Sequence, residues 1–152
     1  MTPEQQLSAL GIELPTLAPF DGPRLQRVVV HGDLAFVSGD GDDTVLGYVG
    51  GDVSVEDAAA AARETALKHC AALRDALGSL DRVERFVKTL VLVRSAPGFT
   101  DQPAVANGYS NTIAELWGEE RGLSARSAIG VAELPGGMAV EVEAVVQVVP
   151  RG

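Results

Sequence analysis

The residues best suited to chemistry sit in one apolar stretch near the end of the chain. "SARSAIGVAELPGGMAVEVEAVVQVV", from Ser124 to Val149, carries Arg126 in its first half and Glu141 and Glu143 in its second. An unpaired charge inside a sheet costs on the order of several kcal/mol, so charges there need partners or a task. Side chains alternate along a strand, and a turn over 134–137 predicts a hairpin in which Ala128 meets Glu143 and Gly130 meets Glu141. That register, which a one-residue bulge would break, puts both glutamates on Arg126's face beside two small residues, Ala128 and Gly130. A planar guanidinium in such a recess suits a ligand carboxylate, held through two parallel hydrogen bonds. A glutamate beside it suits a water to be held or a proton to be moved. The plainer reading, a solvated face or a structural ion pair, stands next to this one.

Other candidate motifs carry less. "SGDGDDT" places Asp40, Asp42 and Asp43 among glycines, but Val45 and Gly51 stand where a helix–loop–helix calcium site requires Gly and Glu. Neither phosphate-loop pattern is present. His69 and Cys70 are adjacent on a helix and point apart, which argues against zinc. Ser38 has no evident base, because nothing in the sequence places His31 beside it. The reading therefore includes no metal and no cofactor.

The elements that must position these residues follow from periodicity. Thr2-Pro3-Glu4 opens a short helix that Gly11 ends. Three prolines between Leu14 and Gly22 mark an irregular segment. "LQRVVVHG" and "LAFVSG" read as strands around the turn His31-Gly32-Asp33, and a short strand is expected around 45–49. Ser54 caps a helix over 55–77, with apolar residues at steps of three and four and Gly78 at its end. "RVERFVKTLVLVRS" is a strand, with Val87, Val91 and Val93 on one face and Phe86, Leu90 and Leu92 on the other. A second helix carries Val105, Tyr109, Ile113 and Leu116 on one side and closes near Gly118. The order is α+β, with two helices covering one face of one sheet. The third main strand is apolar on both faces, so the other face is expected to be buried against copies of the chain.

Bulk composition sets bounds. The chain has 152 residues, 46% hydrophobic and 22% charged, which suits one domain over 1–152: an N-terminal extension over 1–22 and a core over 23–149. A net charge of −9 with 12 scattered basic residues argues against nucleic acid and anionic membranes as partners. One cysteine, no long apolar span and no signal-like N-terminus predict a cytoplasmic protein.

Over roughly 28–149 the chain resembles the RidA family, also called YjgF/YER057c/UK114, whose older label is endoribonuclease L-PSP. The resemblance rests on "FVSGDG", "GGDVSVEDAAAAARETALKHCAALRDALGSLDRVERFVKTLVLV", "FTDQPAVANGYSN" and "ARSAIGVAELPGGMAVEVEAVV". "LGIELP" near the N-terminus points to a subgroup outside RidA proper. The resemblance implies a chorismate-mutase-like α+β fold, mainly antiparallel, assembled as a homotrimer with the ligand pocket between subunits. It implies that Arg126 clamps the carboxylate of a small 2-imino or 2-enamino acid and that Glu141 handles the hydrolytic water. Ser38, Gly39, Asn107 and Ala128 would line the substrate site. Arg24 or Leu25 stands in place of the family tyrosine, Asp40 in place of the glutamine after Ser-Gly, Ala128 in place of a frequent cysteine, and Gly130 in place of an acid. The expected function is an imine deaminase-like hydrolase. The alternatives are a carboxylate-metabolite binder without turnover and a biosynthetic enzyme on a larger imine or enamine; ribonuclease action comes last.

Overall fold

The computed structural model describes residues 1–19 and 24–150. In chain order these form α1 (Pro3–Leu10), β1 (Val28–His31), β2 (Leu34–Asp40), α2 (Val55–Leu77), β3 (Val83–Arg94), α3 (Gln102–Trp117), α4 (Glu119–Gly122), β4 (Ala125–Val131) and β5 (Val140–Val148). Short 3₁₀ turns lie at Leu80–Arg82 and Pro135–Gly137. The irregular segment expected over 14–22 lies partly outside the described residues.

The helix ends form where the caps predict. The Thr2 and Gln5 side chains make a reciprocal capping box at the start of α1, and Gly11 ends it in the left-handed region. Ser54 Oγ accepts from the Asp57 amide at 3.1 Å at the start of α2, and Gly78 closes it. The small residues of α2 let α3 come close: a Cβ added to Gly108 would lie 2.0 Å from the Ala59 carbonyl oxygen. Val105, Tyr109, Ile113 and Leu116 fill the core side of α3, as their spacing predicts. Among the described residues, no helix is long and apolar enough to cross a membrane.

The sheet has the order β1-β2-β5-β3-β4. β1–β2, β2–β5 and β3–β5 are antiparallel, while β3–β4 is parallel. The fold is thus α+β with a mixed sheet, and the expected hairpin of β4 with β5 does not form. β3, twelve residues long and apolar on both faces, lies between them and pairs with each. Ala128 sits opposite Val91 and Gly130 opposite Val93, not opposite Glu143 and Glu141. The physical reason is that a long apolar strand has ladder bonds to satisfy on both edges, and α3 supplies the crossover that a parallel neighbour requires.

Two smaller expectations also change. A register shift between Phe86 and Lys88 reverses the parity of β3, so Phe86 joins Val91 and Val93 in the core and Val87 is exposed. Residues 45–49 make only isolated bridges, Leu46 with Met138 and Val49 with Val53 and Ser95.

One face of the sheet, with Ala35, Val37, Val91, Val93, Val142, Ala144 and Val146, is buried in the core cluster shared with α2 and α3. The other face has no covering element among the described residues. Phe36 is 45% exposed there and Ile129 46%.

Candidate active site

β4 is an edge strand, and Arg126 lies opposite Thr89, on the face that the helices cover. The guanidinium is half-buried beside α3. Its Nη1 donates to Asn107 Oδ1 at 3.0 Å and to Ser110 Oγ at 3.1 Å. Asn107 and Ser110 are three residues apart on α3, hence on one helix face. The Nε–Nη2 edge donates to nothing among the described residues, and no carboxylate pairs with the arginine. An arginine fixed through one nitrogen by two neutral side chains presents its other edge as a ready fork for a carboxylate.

Ala128 follows on the same face, partly buried against the core. Gly130 is next in the row, but it adds no room. A Cβ there would meet Gln102 Nε2 and Ser95 Oγ, each at 3.0 Å. Gln102 Nε2 donates to the Phe99 carbonyl at 2.9 Å and to Ser95 Oγ at 3.2 Å, so the space left by the glycine is already taken. The wider recess expected from two small residues reduces to the one beside Ala128.

Glu141 and Glu143 lie across the sheet from Arg126. Their partners in β3 are Leu92 and Leu90, which in turn face Ile129 and Ser127 of β4. Both glutamates are therefore on the uncovered face, and the expected sharing of one face by Arg126, Glu141 and Glu143 does not occur within a protomer. Glu143 makes no ion pair or hydrogen bond among the described residues and lines an open recess.

Glu141 has closer company. A Cβ on Gly39 would lie 3.0 Å from its Cδ, so the glycine leaves the space the carboxylate occupies. Burial raises the Glu141 carboxyl above the usual 4.5, and the negative charges of Asp40 and Glu143 add to the effect. A proton on this group is held more tightly than on an exposed glutamate, as a proton-shuttling role requires. Ser38 lies next to Gly39 on the open face, its hydroxyl donating to the Gln26 carbonyl at 2.6 Å. Both belong to a β-bulge, because the register of β2 on β5 shifts between Val37 and Asp40. The bulge turns Asp40 to the covered side, opposite Val142, where Lys68 lies 3.9 Å away.

A recess of about 470 Å³ opens beside this group on the uncovered face. Val29, Phe36, Leu90 and Val145 give it apolar walls, with Ser38, Lys88 and Glu143 at its polar edge. The acidic loop does other work: Asp42 Oδ1 accepts from the Thr44 amide at 2.9 Å and from its hydroxyl at 2.6 Å, a turn-forming pattern.

The six expected residues thus fall into two groups. Arg126, Asn107 and Ala128 gather on the covered side at the β4 edge; Ser38, Gly39 and Glu141 gather on the open face. Ser110 and Gln102 were missed by sequence reasoning. Ser110 had a signal, its place three residues after Asn107 on one helix face, whereas Gln102 had none, because its contact depends on the parallel β3–β4 pairing.

The model of the family described as endoribonuclease L-PSP matches residues 18–148. The chain belongs to the RidA family. Protein TCP17 of Trypanosoma cruzi is 45% identical over 148 residues, spanning 93% of this chain and 91% of that one. The crystal structure of Atu1372 from Agrobacterium tumefaciens, described as of unknown function, overlays with a TM-score of 0.87 at 35% identity, covering 98% of this chain and 94% of that one. The YjgF gene product of E. coli gives a TM-score of 0.58 at 29% identity over 84% of this chain and 90% of its own. The fuller overlay on the Agrobacterium protein accords with a RidA subgroup distinct from YjgF.

Proposed function

We propose that this RidA-family chain hydrolyses small 2-imino acids and that its pocket forms between copies of the chain, the expected homotrimer. The observation that carries the reading is the Arg126 guanidinium, oriented through Nη1 by Asn107 and Ser110 with its Nε–Nη2 edge unclaimed. That edge takes the substrate carboxylate. A second copy brings its own Ser38, Gly39 and Glu141, because one sheet cannot offer both of its faces to one ligand. The exposed Phe36 and Ile129 favour such a neighbour, since apolar side chains grouped on an open sheet face gain from burial.

The chemistry needs no cofactor. Glu141 takes a proton from water as its oxygen attacks the C=N carbon of the protonated imine, giving a neutral tetrahedral carbinolamine. The same carboxyl gives that proton to the amino nitrogen, ammonia leaves, and the hydroxyl proton returns to Glu141 as the C=O bond of the 2-oxo acid forms. The raised Glu141 carboxyl suits both halves of that exchange. A second reading, carboxylate binding without turnover, is favoured by one feature: in a lone protomer the clamp has no carboxylate beside it to handle water. Ribonuclease action stays last, because the net charge of −9 repels a polyanion. A larger imine fits less well, as Gln102 and Ser95 fill the space over Gly130.

Ammonia release from freshly generated aliphatic imino acids tests the proposal. Wild type is expected to accelerate release over buffer, and Arg126→Ala to lose about two orders of magnitude or more in kcat/KM. Wild type at the buffer rate would overturn the hydrolase reading. Arg126-dependent calorimetric binding of 2-oxo acids without turnover would establish the binder.

A further inference from the structure

His69 is 1% exposed and belongs to no part of the chemistry described so far. It lies on the sheet-facing side of α2, next to Lys68. Lys68 Nζ donates to the Gly41 carbonyl at 2.6 Å, so this turn of α2 already grips the end of β2. His69 Nδ1 lies 2.8 Å from the Tyr109 hydroxyl, and the two rings meet edge to face with centroids 5.5 Å apart. Nε2 is buried and makes no hydrogen bond among the described residues, while the main chains of Ser38 and Val142 lie close enough to favour the protonated ring.

The Tyr109 contact admits either tautomer; with the ring proton on Nε2, Nδ1 accepts from the Tyr109 O–H and the Nε2–H is left for the main chain beside it. Ser38 and Val142 belong to the two strands that meet at the bulge. Ser38 stands within the register shift of β2, and Val142 stands between Glu141 and Glu143 on β5. A bulge loses regular ladder bonds, so a main-chain oxygen there gains from another donor. In that tautomer the Nε2–H is a buried donor on the side of α2 that packs on these strands.

We propose that His69 is a positioning residue: its ring, held by Tyr109, keeps the Ser38–Asp40 bulge in register with β5, and so keeps Gly39 and Glu141 apposed. The consequence for catalysis rests on the proposed deaminase reading; the consequence for the bulge does not. Tyr109 also stands between Asn107 and Ser110 on α3, so the same buried pair ties the helix that orients Arg126 to the bulge that seats Glu141.

The experiment uses the full chain as His69→Leu, His69→Gln and Tyr109→Phe. Amide hydrogen exchange is read residue by residue, and kcat and KM are read on an aliphatic imino acid. His69→Leu is expected to speed exchange at Gly39–Gly41 by about tenfold or more while the Ala125–Ser127 amides stay as in wild type. Its kcat is expected to drop about tenfold with KM within about twofold, since the Arg126 clamp is untouched. His69→Gln, which puts an amide Nε2 in the same region, is expected to recover most of both. Tyr109→Phe, which releases Nδ1, is expected to speed exchange at the bulge. Wild-type exchange at the bulge in His69→Leu, or faster exchange spread evenly over the sheet, would overturn the proposal. So would an unchanged kcat. If His69→Leu does not fold, a bulge as protected in Tyr109→Phe as in wild type overturns it. A wild type without deaminase activity would remove the proposed function, yet exchange confined to the bulge would still establish the positioning role.

Discussion

The guanidinium of Arg126 shows how little a residue's identity says without its neighbours. Surface arginines usually wave in solvent or pair with a carboxylate. This one is held by Asn107 and Ser110 through a single nitrogen, and that hold decides which edge is left unclaimed. At the same scale, His69 has a measurable signature. Burial pushes its pKa down from 6.5 to about 4, against the pull of the Asp40 charge and the Ser38 and Val142 carbonyls, with Lys68 adding to the fall. Between those values the unfolded chain binds a proton at this position that the folded chain refuses. Its contribution to stability is therefore whole above 6.5 and erodes as pH falls towards 4, by at most about 1.4 kcal/mol per pH unit. Urea unfolding of wild type and His69→Gln from about pH 7.5 to about pH 4.5 is expected to show a shallower acid loss in the variant. Equal slopes would show that His69 does not titrate in this way.

Elements with strong local signals were legible in the sequence. Thr2, Ser54, Gly11 and Gly78 mark helix ends through caps that need only neighbouring residues. The pairing of the last two strands was not legible, because Leu134-Pro135-Gly136-Gly137 looks like a hairpin turn whether β5 returns beside β4 or passes over the end of β3. Arg94 shows the outcome. Its amide donates to the Ala139 carbonyl and its Nη1 to the Gly137 carbonyl, so the connection wraps the end of β3. The bulges at Val37–Asp40 and Phe86–Lys88 likewise leave no mark in an alternating pattern. The family motifs named the candidate residues; the division of those residues between two sheet faces was not legible. The α2–α3 contact offers a test at this scale. An alanine in a helix usually stabilises over glycine by about 0.5–1 kcal/mol. Gly108→Ala is expected to do the opposite, losing about 2 kcal/mol or more, because the added Cβ meets the Ala59 backbone. A lower urea midpoint at unchanged m-value would show this, and a rise would contradict the close packing.

At the scale of the whole molecule, the sheet separates the proposed clamp from the proposed base. Arg126 and Glu141 serve one substrate only if two copies meet, with the β4 edge of one approaching the open face of the next. Complementation between inactive subunits tests this most directly. Arg126→Ala and Glu141→Gln chains are purified, mixed, unfolded, refolded together and assayed for imine hydrolysis. Each variant alone is expected to be inactive. Random mixing is expected to give roughly a quarter of the wild-type pockets, each with an intact arginine from one chain and an intact glutamate from its neighbour. Recovery near that level is the predicted result. Mixed oligomers that form and show no recovery would contradict a site shared between subunits.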